Sequence, residues 1–218
     1  MRRAFFVLAS VACALALAAP SRAQSTLTLA GTGGLSRADA SRARYRWDER
    51  AHAAYGASAL LSRGRVGAGV RVERTGAAQA LELGASAPAE AAITGTSLEA
   101  IARVRVARVS GASLALTCAA GRTWYAWTPE QVDVNTGSGV TTVRFAPVAT
   151  PSAAVGAVCA LSAGRWQLGL AAERRFVTLD TAHRAGEQIV YAKETFGDWN
   201  ARLEVARTFA LGAEGRTR

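Results

Sequence analysis

Arginine and glutamate recur in this sequence at every second position, with small residues between them. Arg65, Arg71 and Glu73 alternate in step with Gly67 and Gly69, and Glu99, Arg103 and Arg105 alternate in step with one another in a later segment. Glu173 with Arg175, and Arg202 with Glu204, repeat the arrangement. A spacing of two places side chains on one face of a β-strand. The chemistry open to such faces, once enclosed, is ion pairing, with small neighbours leaving room for long arginines. Arginines left over would instead favour anions.

Other reactive groups are sparse. A nucleophilic mechanism needs a base within reach of its nucleophile. The two histidines are His52, at the start of a candidate strand, and His183, in a candidate loop, and both read as solvated rim or loop residues. No serine forms a recognisable pattern with His183, so no catalytic residue is assigned. The chain has no CxxC and no histidine cluster, so no metal site is expected. Gly31-Thr32-Gly33-Gly34 lacks the Gly-Lys-Ser/Thr of a phosphate loop, and no cofactor is expected. Cys13 lies in the leader and lacks a lipoprotein context. Cys118 and Cys159 are the remaining thiols. A hairpin turning near Ser138-Gly139 sets them opposite each other, so a cross-strand disulfide is one outcome and two buried free thiols the other.

The opposite faces are apolar. They read Leu114, Leu116, Cys118, Ala120, Arg122, Trp124; Trp166, Leu168, Leu170, Ala172, Arg174, Phe176; and Trp199, Ala201, Leu203, Val205, Arg207, Phe209. The faces Leu98 to Arg108 and Val66 to Arg74 follow the same rule. Aliphatic residues fill the middle, and aromatics and single arginines mark the ends. That is the profile of a lipid-facing wall with aromatic girdles. Trp124, Trp166, Phe176, Trp199 and Phe209, with Arg74, Arg122 and Arg174, form the expected interface girdle. An arginine costs about 2–4 kcal/mol at the bilayer midplane and about 0–1 near an interface. A soluble, lipocalin-like ligand carrier is the inverted reading, with the same alternation and the apolar face inward.

These faces require strands, and period-two alternation supplies eight of them. They span roughly 26–35, 51–61, 65–74, 97–108, 112–125, 152–162, 165–177 and 196–210. Tight glycine-bearing turns fall at Ser62-Arg63-Gly64, Val109-Ser110-Gly111 and Ala163-Gly164. Long connections fall at 36–50, 75–96, 126–151 and 178–195. Strict alternation of short and long puts all short turns at one end, as in outer-membrane barrels with short periplasmic turns and long extracellular loops. Val132, Val134, Val140 and Val143 flank a turn-like segment and suggest a projecting hairpin in the third long loop.

Residues 1–23 have the layout of a secretory signal peptide: Arg2-Arg3, an apolar run, then small residues ending at Ala23. Its removal lowers the formal charge from +10 to +7. Export makes lipopolysaccharide phosphates, rather than nucleic acid, the expected anionic neighbours of Arg74, Arg122, Arg174 and the arginine-rich segment Ser36–Arg50, since arginine binds phosphate in a fork. Residues 24–218 form the expected barrel domain.

Taken together, signal peptide, eight strands, three tight turns, four long loops and rim aromatics resemble the small eight-stranded outer-membrane β-barrels, the OmpA/OmpX/OmpW-like group. The resemblance covers residues 24–218 and rests on pattern, not on a motif. It implies an all-β, eight-stranded antiparallel up-and-down transmembrane barrel. It further implies insertion by the outer-membrane assembly machinery, which commonly reads a terminal aromatic. Here Phe209 is followed by ALGAEGRTR, so the aromatic is present but not terminal. The functional expectation is a non-enzymatic integral outer-membrane protein with a structural or surface-interaction role and a lumen filled by paired Arg and Glu. A narrow, anion-favouring channel is the alternative.

Overall fold

The computed structural model describes residues 24–81, 90–135, 138–185 and 188–211. The signal-peptide assignment and the tail beyond Leu211 lie outside them. Ten strands follow in order: β1 (Ser25–Arg37), β2 (Ala51–Arg63), β3 (Val66–Ala80), β4 (Glu90–Val109), β5 (Ala112–Thr128), β6 (Gln131–Asn135), β7 (Val140–Arg144), β8 (Val148–Ala163), β9 (Trp166–Ala185) and β10 (Gln188–Leu211). Eight of them close into an antiparallel barrel in the order β1-β10-β9-β8-β5-β4-β3-β2. The ring closes because β1 pairs with β10 from Ser25 opposite Leu211 to Arg37 opposite Trp199. β6 and β7 pair separately as the hairpin projecting from the third long connection.

The three short turns are each two residues long. Ser110 and Gly111 both have positive φ, 44° and 87°. That is the condition for a hairpin turn whose twist matches its strands. Gly64 and Gly164, at φ 62° and 60°, start the other two. Two of the four long connections are shorter as loops than expected. β3 and β4 pair out to Ala80 opposite Glu90, and β9 and β10 out to Ala185 opposite Gln188. His183 therefore falls in a strand extension. The extensions were missed because the apolar face fades there, while backbone pairing needs no apolar face. The connection between β1 and β2 has a different form. It holds a short 3-10 turn, Ala40–Tyr45, followed by Trp47 bridged to Gln79.

The wall answers which face turns inward. Leu29, Leu61, Val70, Val72, Leu98, Leu116, Val155, Leu168, Leu170, Leu203 and Val205 are 46–60% exposed on the outside. Their neighbours of opposite parity, among them Leu60, Arg71, Glu73, Glu99, Ala154, Ala171, Arg202 and Glu204, are 7% exposed or less. Removing a Val or Leu side chain from water contributes about 1.5–3 kcal/mol. In water this exterior would forgo that gain at every position. In hydrocarbon it loses nothing, and the closed ladder leaves no unpaired edge.

Pairing across the projecting hairpin differs from the sequence-based expectation. Cys118 faces Val155, and Cys159 faces Leu114. Both thiols are free and lie on the outer wall. The offset arises because five residues, 126–130, separate Tyr125 from Gln131 on one side of the hairpin, and three, 145–147, separate Arg144 from Val148 on the other. Within the hairpin Asn135 pairs with Val140, not with Thr142 as a turn at Ser138-Gly139 requires. Of the two outcomes open in the sequence, the cross-strand disulfide is not formed, and the free thiols are not buried: Cys118 is partly exposed and Cys159 exposed.

Candidate functional site

Strands β3, β4, β9 and β10 bring six charges together at mid-lumen. Arg71 reaches Glu99 at 2.5 Å and Glu173 at 2.6 Å. Arg175 reaches Glu99 at 3.2 Å and Glu73 at 3.1 Å. Arg202 reaches Glu173 at 2.9 Å and also pairs with Glu73. Each guanidinium thus bridges two carboxylates and each carboxylate two guanidiniums, in one closed ring of alternating sign. Ser152 Oγ adds a hydrogen bond to Glu99 at 3.2 Å. Burying a charge alone is costly, and burial is tolerated when every charge is paired and hydrogen-bonded. Every charge of the ring is paired and the ring carries no net charge, although Glu73 Oε1, Arg175 Nε and Arg202 Nε make ion pairs or packing contacts rather than hydrogen bonds.

Glycine makes the room. Glu73, Glu99 and Glu173 lie directly opposite Gly56, Gly121 and Gly156 on the neighbouring strands. A Cβ at any of these three would overlap the backbone of the adjacent strand. The wall therefore coils tightly beside each glutamate, as narrow barrels require.

Toward the short turns, Arg103 and Glu204 form a two-pronged pair, both contacts 2.8 Å. A void of about 20 Å³ lies between this pair and the ring, lined by Thr32, Ser58 and Thr117 among others. That is room for about one water.

Two other expected members of the lumen set lie elsewhere. Arg65 belongs to the turn itself, outside β3, and is exposed. Arg105 keeps the lumen parity, opposite buried Ala115 and one residue before the bulge at Val106, but it lies at the rim, where its guanidinium donates to the Gly64 carbonyl at 2.6 Å. Parity assigns a face but not a depth, so it does not separate an enclosed charge from one at the rim or in a turn.

Toward the long loops the lumen is capped by a residue that the alternation did not reveal. Arg42, in the 3-10 turn, is 1% exposed. Its guanidinium donates to Asp198 at 2.7 Å. It also lies 4.4 Å from the Trp47 ring centre, 4.9 Å from Phe196 and 5.8 Å from Tyr125. Cation–π attraction is strongest where the cation is stripped of water. A clasp holds the turn in place. Asp39 N–H donates to Asp198 at 3.0 Å, and Gly197 N–H donates to Asp39 at 2.7 Å. The Ser41 N–H and hydroxyl donate to Asp39 at 2.9 and 2.7 Å, and the Tyr45 hydroxyl donates to Glu194 at 2.7 Å. Burial alone would raise the Asp39 pKa. The donors Gly197 and Ser41, with Arg174 nearby, more than offset this and hold it below its ordinary value. The sequence signal that could have found this cap is an aromatic pair, Tyr45 and Trp47, inside an otherwise charged loop. His52 is bonded to Asp48 at 2.8 Å, at the rim.

On the outside, two arginines lie against the wall between aromatic rings. Arg174 is 5.5 Å from both Phe176 and Trp199. It crosses Gly197, where a Cβ would collide with its guanidinium. Arg207 is 5.5 Å from Trp166 and 5.2 Å from Phe209. Trp166 and Phe209 lie near the short-turn end. Trp124, Phe176 and Trp199 lie toward the long loops, with exposed Arg74 and Arg122.

No family model matches the chain, and no curated protein matches it. Among solved structures, Neisserial surface protein A is similar at 9% identity and a TM-score of 0.48, over 85% of this chain and 97% of that one. The attachment invasion locus protein Ail of Yersinia pestis is similar at 13% identity and a TM-score of 0.42, over 86% and 99%. The N-terminal β-barrel domain of Pseudomonas aeruginosa OprF is similar at 13% identity and a TM-score of 0.37, over 86% and 100%.

Proposed function

We propose that this chain is a non-enzymatic integral outer-membrane protein whose lumen is closed. Its role is to stabilise the membrane through its wall and to present its long connections outside. The observation that carries this reading is the ring of Arg71, Glu99, Arg175, Glu73, Arg202 and Glu173 across the lumen, beneath the Arg42 cap. The enclosed charges balance: the ring is neutral, Arg103 pairs with Glu204, and Arg42 with Asp198. A channel favouring anions would need surplus arginine along its path, and among the described residues the enclosed part of the lumen holds none in excess.

The chemistry of the wall and the signal-peptide layout of residues 1–23 support this location. Arg74, Arg122 and Arg174, exposed near the outer rim, are the groups offered to lipopolysaccharide phosphates. The loop arginines are less available for that task. Arg42 is enclosed, Arg37 pairs with Glu49, and Arg50 pairs with Asp48 and Glu90.

Planar-bilayer recording tests the closed lumen. The purified barrel is expected to insert without producing stepwise current. A steady anion-selective conductance would overturn the plug. Retention in the membrane pellet after carbonate washing tests integral insertion, and release by the wash would contradict it.

A further inference from the structure

The two ends of the barrel differ in charge. In the first long connection and the strand ends beside it, arginines and acids are interleaved and paired: Arg37 with Glu49, Arg44 with Glu194, Arg50 with Asp48 and Glu90. At the short-turn end the charged residues are Arg63, Arg65, Arg105, Arg108, Arg165 and Arg207. Among the described residues, neither these turns nor the strand ends beside them carry an Asp or Glu outside the lumen. A ring of one sign at a membrane boundary attracts the opposite sign.

Arg207 gives that field a defined place. Its guanidinium is held against the wall by Trp166 and Phe209, and among the described residues it has no acidic partner. Beside it a shallow groove of about 600 Å³ opens on the outer wall, lined by Gly31, Ala57, Val70 and Val205 and ending at Trp166 and Arg207. A Cβ at Gly31 would meet nothing within 4 Å, so the floor is open to the surroundings. Apolar groove and fixed cation, end to end, match the shape of an acyl chain and its phosphate.

We propose that the short-turn end binds an anionic phospholipid, its phosphate against Arg207 within the arginine collar and its acyl chain along this groove. The proposal rests on the membrane reading above. It assigns to the leaflet at the short turns a phospholipid site separate from the rim arginines Arg74, Arg122 and Arg174 offered to lipopolysaccharide at the other end. Phosphate is bound by the guanidinium fork, and the chain by dispersion against the small wall residues. Trp166, at the interface, fixes the depth of the site.

Quenching of Trp166 by brominated lipids tests this in vesicles of phosphatidylcholine containing a minor share of phosphatidylglycerol. The Trp166 signal is taken as the difference between the protein and its Trp166→Phe variant. Brominated phosphatidylglycerol is expected to occupy the site at least fivefold more readily than its mole fraction predicts. Arg207→Gln should lower that preference about fivefold, since each arginine near an anionic surface is worth about that factor. Adding Arg165→Gln should lower it further. Arg50→Gln, which removes the same charge from the other end, should leave it unchanged. Equal quenching by both brominated lipids, or a preference that survives loss of Arg207 and Arg165, would overturn this proposal alone. Quenching by neither lipid would overturn the membrane reading and this proposal with it.

Discussion

The mid-lumen ring and the Arg42 cap both bury guanidiniums, and they do so by different means. In the ring every arginine is matched by carboxylates from rigid strands, and Ser152 donates to one of them. In the cap a single arginine from a loop has one carboxylate, Asp198, and three aromatic rings. The ring has no alternative position, because its side chains project from paired backbone on all sides. The cap has one, because the 3-10 turn is held by a clasp of hydrogen bonds and could return Arg42 to water. Loss of a partner should therefore cost most in the ring, where a stranded charge has nowhere to go.

Glu73→Ala gives the largest expected effect. It leaves Arg175 and Arg202 facing each other without their shared carboxylate. Removing one partner of a buried ion pair costs about 3–5 kcal/mol. Urea unfolding in lipid vesicles measures the loss, and a change below about 1 kcal/mol would show that the ring contributes little to stability. Asp198→Ala should cost less, about 1.5–3 kcal/mol, the range for a hydrogen bond to a charged group. Arg42 should also become reactive to a dicarbonyl reagent, read by peptide mass, while Arg71 and Arg175 stay protected. Protection of Arg42 in that variant would mean that the rings alone hold it. Trp47→Leu removes the nearest ring and should cost about 1–2 kcal/mol, the value for a desolvated cation–π contact.

The smallest effect is a pH dependence of the clasp. The folded-state pKa of Asp39 is below its ordinary 3.8, so its contribution is complete above that value and is lost as pH falls through the folded value. The amide resonance of Gly197, which donates to Asp39, should hold steady from pH 7 to 5. It should then move with a midpoint below 3.8. A midpoint above 3.8 would contradict the clasp.

The same contrast explains what was legible in the sequence. Arg71, Glu73, Glu99, Glu173, Arg175 and Arg202 lie in uninterrupted strands, so parity alone put them on one side of the wall, and pairing brought them level. Parity could not tell that Arg105 lies at the rim rather than inside the lumen, nor place Arg65 in its turn. It could not fix the Cys118 and Cys159 register either, because unpaired residues around the hairpin between β5 and β8 carry no periodic signal. Arg42 was invisible for a stronger reason. Its partners Trp47, Tyr125, Phe196 and Asp198 come from one loop and two distant strands, and only closure of the barrel makes them neighbours.

The central claim is that hydrocarbon surrounds the Leu and Val stripe. Spin labels at Val72, Leu170 and Leu203, introduced as single cysteines in a chain with Cys118 and Cys159 replaced by alanine, test it in bilayers. The account predicts strong relaxation by oxygen dissolved in the membrane and weak relaxation by a water-soluble nickel chelate at all three. The reverse should hold for a label at Asp133 in the projecting hairpin. Chelate access at Val72, Leu170 and Leu203 equal to that at Asp133 would contradict it.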